Sequence, residues 1–170
     1  MVGTQIKNSS EFKVPSSVSG ISITQNTERG AQYNKLIQDV KEIYDWLDSQ
    51  IEEKLSVKCQ ACGKCCDFEN FEHRLFVTIP ELVYMAANLN VEALEMMQTG
   101  KCPYNIEGKC KVHKYRFSGC RIFNCKANEE IQSELSELTL KKIKEIHLKF
   151  EIPYRYMDLA SALNNSVISF

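Results

Sequence analysis

Four cysteines lie close together in one turn-rich segment, as Cys59, Cys62, Cys65 and Cys66. A Cys-x-x-Cys spacing lets two sulfurs reach one ion, at about 2.3 Å for zinc, while the intervening backbone N–H groups turn toward the sulfurs. Gly63 suits such a loop because glycine adopts a positive φ at little cost. The other cysteines of the chain are Cys102, Cys110, Cys120 and Cys125. All eight lie in its middle part, and this pattern predicts a metal-binding framework.

Length and charge limit the class of protein. The chain has 170 residues and a net charge of -1, which predicts one domain without the basic block of a nucleic-acid-binding protein. No apolar run approaches the roughly 18 residues of a membrane span, and the N-terminus lacks a secretory pattern. We therefore expect a cytoplasmic protein that binds neither nucleic acid nor membrane. Cytosolic thiols stay reduced, so metal binding is favoured over the alternative of four disulfides in a secreted domain.

Two long amphipathic helices are predicted on either side of the cysteines. Apolar residues recur at three- and four-residue spacing from about 29 to 57 and again over 129–150, as on one face of a helix. The expected fold is mainly α. It is a small helical domain over 29–163, with an irregular cysteine-rich metal-binding centre, residues 59–125, between the two long helices.

The ends of the chain are predicted to contribute little. Residues 1–28 are polar and without period, so we expect a mobile N-terminal arm. Pro153 ends the second long helix, a short helix is predicted over 154–163, and residues 164–170 are expected to form a loose tail.

Shorter elements are predicted among the cysteines. The apolar run 74–77 favours a strand or an extended link. Thr78 as N-cap, with Pro80 and Glu81 behind it, predicts a helix start with a capping box. Asn88 and Asn90 predict the end of this helix.

Two further predictions concern the segment that leads to the second group of cysteines. Residues 91–97 predict a second short helix, closed by Gly100. The turn composition of 105–108 predicts that Cys102 and Cys110 are brought close together.

The cysteine pattern resembles that of the YkgJ-type cysteine cluster family, described as zinc- or iron-chelating. The shared motifs are Cys59-x-x-Cys62-Gly-x-Cys65-Cys66, Cys102-Pro103 with Gly108-x-Cys110, Tyr115-Arg116, and Cys120-Arg121-x-Phe123-x-Cys125. The resemblance covers roughly residues 59–125. This chain departs from the family pattern at Phe117 and Asn124, where the family commonly has proline. The resemblance implies a metal site, and a related cluster is associated with flagellin lysine methylases.

The spacing leaves two kinds of cofactor open. Eight thiolates suit two tetrahedral zinc sites, whereas the divergent neighbours Cys65 and Cys66 favour a cluster or two sites that share this segment. The run from Cys59 to Cys65 has the spacing of bacterial ferredoxins, in which proline also follows the fourth cysteine, as Pro103 follows Cys102. An iron–sulfur cluster is therefore favoured over zinc.

Two arginines and one histidine lie among the second group of cysteines. Arg116 and Arg121 are expected to donate hydrogen bonds to the sulfurs of the cofactor site and to balance its negative charge. His113 could be a ligand or could donate a hydrogen bond to one, but with eight thiols available it is interpreted as a surface or packing histidine.

Three functions remain open from the sequence. The first is a metal-binding protein with a redox or metal-handling role. The second is a zinc-stapled module that binds an unidentified protein partner. The third, implied by the family resemblance alone, is an enzyme or enzyme accessory in protein modification. No catalytic residue is assigned, because the chain has no Gly-rich phosphate loop, Gly-x-Ser-x-Gly or His-Glu-x-x-His motif.

Overall fold

The computed structural model describes residues 28–55, 58–71 and 73–165. The α-helices in this part of the chain are α1 (Glu28–Lys54), α2 (Ile79–Leu89), α3 (Ser118–Ile122), α4 (Glu129–Lys149) and α5 (Leu159–Asn165). The strands are β1 (Phe76–Thr78), β2 (Asn105–Ile106), β3 (Lys109–Cys110) and β4 (Tyr156–Asp158). The prediction of a mainly α fold is confirmed. Apart from Glu28, which begins α1, the predicted arm lies outside the described residues, as do residues 166–170 of the predicted tail.

The two long helices, α1 and α4, pack against each other. Both were predicted from their apolar spacing, and the structure confirms them. Helix α1 ends three residues, and α4 one residue, before the predicted end. Leu36, Val40 and Tyr44 of α1 are buried with Ile146 of α4 in one core cluster. The cysteine segments lie between α1 and α4 in sequence, but the direct contact of the helices leaves these segments beside the pair in space.

Helix α2 begins as its sequence predicts. Thr78 is the N-cap, proline occupies the first turn, and the capping box with Glu81 is present. Asn90 caps the other end in the left-handed conformation, with φ 55°, which asparagine tolerates better than most residues.

The short helix predicted over 91–97 is wrong. This stretch is irregular, and its backbone groups bond to distant side chains instead of to each other. The Met97 N–H donates to the side chain of Asn164 at 2.8 Å, and the Met97 carbonyl accepts from the same side chain at 3.0 Å. The Glu95 N–H donates to the Tyr104 hydroxyl at 3.0 Å. These tertiary bonds satisfy the backbone without a helix.

The predicted helix over 154–163 begins too early. Its first part is β4, which pairs antiparallel with β1 and places Val77 opposite Met157. The strand β1 itself was one of two predicted alternatives for the run 74–77. A two-stranded ribbon depends on both partners, and the sequence of β4 alone does not reveal the pairing. The remainder of the predicted helix is α5.

One buried carboxylate joins four elements of the fold. Glu81 of α2 is 1% exposed. Its Oε1 accepts hydrogen bonds from the Tyr44 hydroxyl of α1 at 3.1 Å, and from the backbone N–H and hydroxyl of Ser118 of α3 at 2.9 and 2.7 Å. Its Oε2 accepts from the backbone N–H and hydroxyl of Thr78 of β1 at 2.9 and 2.8 Å. Charge-assisted hydrogen bonds of this kind are stronger than neutral ones.

We expect Glu81→Gln to lower the free energy of unfolding by about 1–3 kcal/mol. The NH₂ group of the glutamine would face hydrogen-bond donors at a position where a carboxylate oxygen now accepts their hydrogen bonds. Equilibrium urea denaturation measures the change. Glu92→Gln is the matched control, since Glu92 is exposed, and it should change stability by less than about 0.5 kcal/mol. Equal losses in the two variants would contradict this role of Glu81.

Candidate metal centre

The first group of cysteines lies in an irregular loop, residues 59–66, which we call the cysteine loop. It ends in a single 3₁₀ turn over Lys64–Cys66. Gly63 precedes this turn with φ 70°, and its predicted positive φ is confirmed. A Cβ atom at Gly63 would lie 2.6 Å from the carbonyl oxygen of Gly108. Glycine is thus required here for both its backbone conformation and its small volume.

The second segment is a hairpin over residues 102–110, which we call the cysteine hairpin. Strands β2 and β3 pair antiparallel, with Cys110 opposite Asn105. Glu107 and Gly108 form the turn with φ 52° and 72°, the two positive values of a type I′ hairpin turn. The hairpin returns the chain toward Cys102, as the turn composition predicted.

The cysteine loop and the cysteine hairpin are hydrogen-bonded to each other. The Cys102 N–H donates to the Cys66 carbonyl at 2.8 Å. The Asn105 amide donates to the Gly63 carbonyl at 3.0 Å. Next to the loop, Asp67 forms a β-bridge and a 3.3 Å ion pair with Lys101. These contacts fix the relative positions of two segments that are about 40 residues apart in sequence.

A cavity of about 40 Å³ lies between these segments, and we call it the thiol cavity. Its volume exceeds the roughly 10–15 Å³ that holds one water molecule. Met85, Phe117 and Leu159 form part of its apolar wall. Six of the eight cysteines line it: Cys59, Cys65, Cys66, Cys102, Cys110 and Cys120. The other two, Cys62 and Cys125, are exposed and lie outside the lining.

Cys66 is the central thiol of this group. It is buried and its side chain hydrogen-bonds with those of Cys102, Cys110 and Cys65. Hydrogen bonding by the Cys66 S–H, which can donate to one of these three sulfurs at a time, raises the pKa of Cys66. The same bonds lower the pKa of Cys102, that of Cys65 to about 6 and that of Cys110 to about 7. Cys120 differs, because burial raises its pKa well above the usual value.

Backbone N–H groups point at three of the sulfurs. The Ala61 N–H donates to the Cys59 sulfur at 3.4 Å. The backbone of Tyr104 bonds to the Cys102 sulfur and that of Val112 to the Cys110 sulfur, which lowers the pKa of both thiols. The donor lies two residues after the cysteine in each case. Such N–H···S bonds stabilise thiolates and tune the metal sites that contain them.

The two arginines that were expected to lie at the sulfurs, Arg116 and Arg121, occupy different positions. Arg116 lines the thiol cavity and contacts His113, and its charge contributes to the lowered pKa of Cys65 and Cys110. Arg121 lies outside the lining. Its guanidinium donates to the carbonyls of Arg116 and Lys114 at 3.0 and 2.8 Å. It therefore holds the backbone that carries Arg116.

His73 was not assigned a role from the sequence, yet it packs beside the cysteines. Its Nε2 is 3.0 Å from the Cys65 carbonyl oxygen, and the ring lies between those of Phe68 and Phe123, with centroid distances of 5.1 and 5.4 Å. The charge of His73 also contributes to the lowered pKa of Cys65. No spacing rule links a histidine eight residues after a cysteine to that cysteine, so the sequence contained no signal for this contact.

The thiols converge without forming a complete metal site. All eight cysteines are free thiols. Within the described ranges, no group of three or more His, Cys, Asp or Glu side chains is arranged to hold an ion. The donor set nevertheless fits zinc or an iron–sulfur cluster, because both take thiolate ligands.

Comparisons with known proteins give no relative for this chain. No family model, curated protein or solved structure matches it. The resemblance to the YkgJ-type cysteine cluster family therefore stays a prediction that rests on the quoted motifs. In the part of the chain that the structure describes, no helix has the length and apolarity to cross a membrane.

Gly63→Ala should destabilise the protein more than Gly108→Ala. Both residues have φ near 70°, but an added Cβ meets the backbone only at Gly63 and meets open space at Gly108. We expect Gly108→Ala to cost about 1–2 kcal/mol from its left-handed backbone alone, and Gly63→Ala to cost clearly more. Thermal or urea unfolding of the two variants tests this. Equal costs would mean that the close contact with Gly108 does not constrain the loop.

Cys65 should react with iodoacetamide at lower pH than an ordinary thiol. Its lowered pKa of about 6 makes it mostly thiolate at pH 7, whereas a free cysteine titrates near 8.5. Cys120 should react only at higher pH, because its pKa is raised. Peptide mass spectrometry of protein alkylated in a chelator, from pH 5 to 10, gives both profiles.

Arg116→Gln tests the cause of the lowered Cys65 pKa. Because this variant loses the cation, the midpoint of Cys65 alkylation should move to higher pH. A Cys65 midpoint near that of an ordinary thiol would contradict the proposed effect of its neighbours.

Proposed function

We propose that this chain is a metal-binding protein in which cysteines around Cys66 hold an iron–sulfur cluster or zinc. The observation that carries the proposal is the convergence of Cys65, Cys66, Cys102 and Cys110, whose side chains interact through hydrogen bonds centred on Cys66. Four thiolates are the ligand set of a closed zinc site and of common iron–sulfur clusters.

The number of thiols favours a cluster over a single zinc ion. Six cysteines line one cavity, whereas one tetrahedral zinc takes four ligands. A cluster with several iron atoms, or two ions that share the segment, uses such a set more fully. The spacing from Cys59 to Cys65 and the Cys102-Pro103 pair support the iron–sulfur alternative.

The surroundings of the thiols suit an anionic metal–thiolate centre. The N–H groups of Tyr104 and Val112 stabilise thiolates at Cys102 and Cys110. Arg116 supplies a positive charge at the cavity wall. Its Nε is buried and has no hydrogen-bond partner among the described residues, so it is available to a sulfur ligand.

The apolar wall around Met85, Phe117 and Leu159 limits the access of water to the sulfurs. When bound, an iron–sulfur cluster would supply electron transfer, whereas zinc would supply structural support.

Elemental analysis of protein purified without oxygen, together with its visible absorption spectrum, tests the proposal. Iron with acid-labile sulfide and a broad visible band would support the cluster, and stoichiometric zinc without colour would support the zinc form. A protein that binds neither metal would overturn the proposal.

Cys66→Ser should lose most of the bound metal, because Cys66 is the central thiol of the group. Cys125→Ser is the matched control. Cys125 is exposed and outside the thiol cavity, so this variant should keep metal near the wild-type amount. Circular dichroism checks that both variants keep the helices, since the contact between α1 and α4 does not involve Cys66. Equal metal content in folded Cys66→Ser and wild-type protein would count against the assignment.

A further inference from the structure

A second, more open cavity of about 260 Å³ adjoins the thiol cavity, and we call it the aromatic pocket. Cys65 and Cys120 line both cavities. The pocket lies where the ribbon of β1 and β4 faces α3 and the first turns of α4. A molecule bound in it would therefore lie next to two of the clustered thiols.

Aromatic side chains form much of the wall of this pocket. The rings of His73 and Phe123 are stacked, with centroids 5.4 Å apart and planes within 6°. Phe76 and Tyr156 contact each other across the ribbon, with a centroid distance of 5.3 Å. Phe76, Phe123 and Tyr156 are 36%, 40% and 45% exposed. Large apolar side chains grouped at one opening are typical of a binding site.

The size and shape of the pocket favour a small planar ligand. Its volume is slightly below the roughly 300–1,000 Å³ of pockets that bind drug-sized molecules. A single aromatic ring is compatible with that space. Flat ring faces such as that of Phe123 bind other rings by offset or edge-on stacking.

The charge of the pocket favours an anion. Arg74 lines it and is exposed, and none of the lining residues that the structure describes is acidic. The described residues provide no salt bridge to Arg74. A guanidinium pairs with a carboxylate through two parallel hydrogen bonds, which adds both affinity and orientation. The exposed hydroxyl of Ser133 is a further polar group of the lining.

We propose that the aromatic pocket binds a small aromatic carboxylate, with its carboxylate at Arg74 and its ring against Phe123. The pocket does not require a metal, so this inference goes beyond the proposed function. Only one further consequence rests on the proposed function: the ligand would lie beside a metal centre at Cys65 and Cys120.

Isothermal titration calorimetry with benzoate tests the proposal on the full-length protein as purified. Benzamide has nearly the same shape without the charge and should bind about tenfold more weakly, a difference of about 1.4 kcal/mol. Arg74→Gln should reduce benzoate affinity by a similar factor and leave benzamide affinity unchanged. Phe123→Ala should weaken both ligands, because it removes the shared ring contact.

Arg29→Gln is the matched control, since Arg29 is also exposed and lies outside the pocket lining. It should leave benzoate binding unchanged. The proposal is overturned if benzoate does not bind, if benzamide binds equally well, or if Arg74→Gln and Arg29→Gln behave alike. Metal content measured on the same samples separates the two hypotheses. Benzoate binding by metal-free protein supports the pocket alone, and metal without benzoate binding supports the metal centre alone.

Discussion

The buried carboxylate of Glu81 is the interaction on which the arrangement of the helices depends. A charge at 1% exposure is costly unless hydrogen bonds replace its hydration, and here Tyr44, Thr78 and Ser118 supply five donors. These donors come from α1, β1 and α3. Because Ser118 lies two residues before Cys120, the same network fixes one side of the thiol cavity. The geometry of the cysteines is thus tied to the core of the helical domain.

The cysteine loop and the cysteine hairpin form much of the lining of the thiol cavity. Neither of the long helices, α1 and α4, contributes a residue to this lining. A backbone hydrogen bond from the Cys102 N–H to the Cys66 carbonyl, and one from the Asn105 side-chain amide to the Gly63 carbonyl, align these two segments. The thiols around Cys66 are held close enough to hydrogen-bond with one another. The aromatic pocket beside the thiol cavity offers a route by which a small molecule would reach Cys65 and Cys120.

Local patterns predicted the elements that local forces determine. The apolar spacing of α1 and α4, the capping signals at Thr78 and the turn composition before Gly108 all correspond to observed features. The predictions failed where distant residues compete for the backbone. Residues 91–97 bond to Asn164 and Tyr104 instead of forming a helix, and residues 156–158 pair with β1.

The sequence by itself determined the helical class, the loop at Gly63 and the set of thiols available to a metal, because spacing and backbone preference act over a few residues. Only the tertiary structure decided which of those thiols meet. It brought Cys66 together with Cys102 and Cys110, left Cys62 and Cys125 at the surface, and placed His73 against the Cys65 backbone. These outcomes depend on packing between segments far apart in the chain, and no local pattern encodes which distant side chains share one cavity.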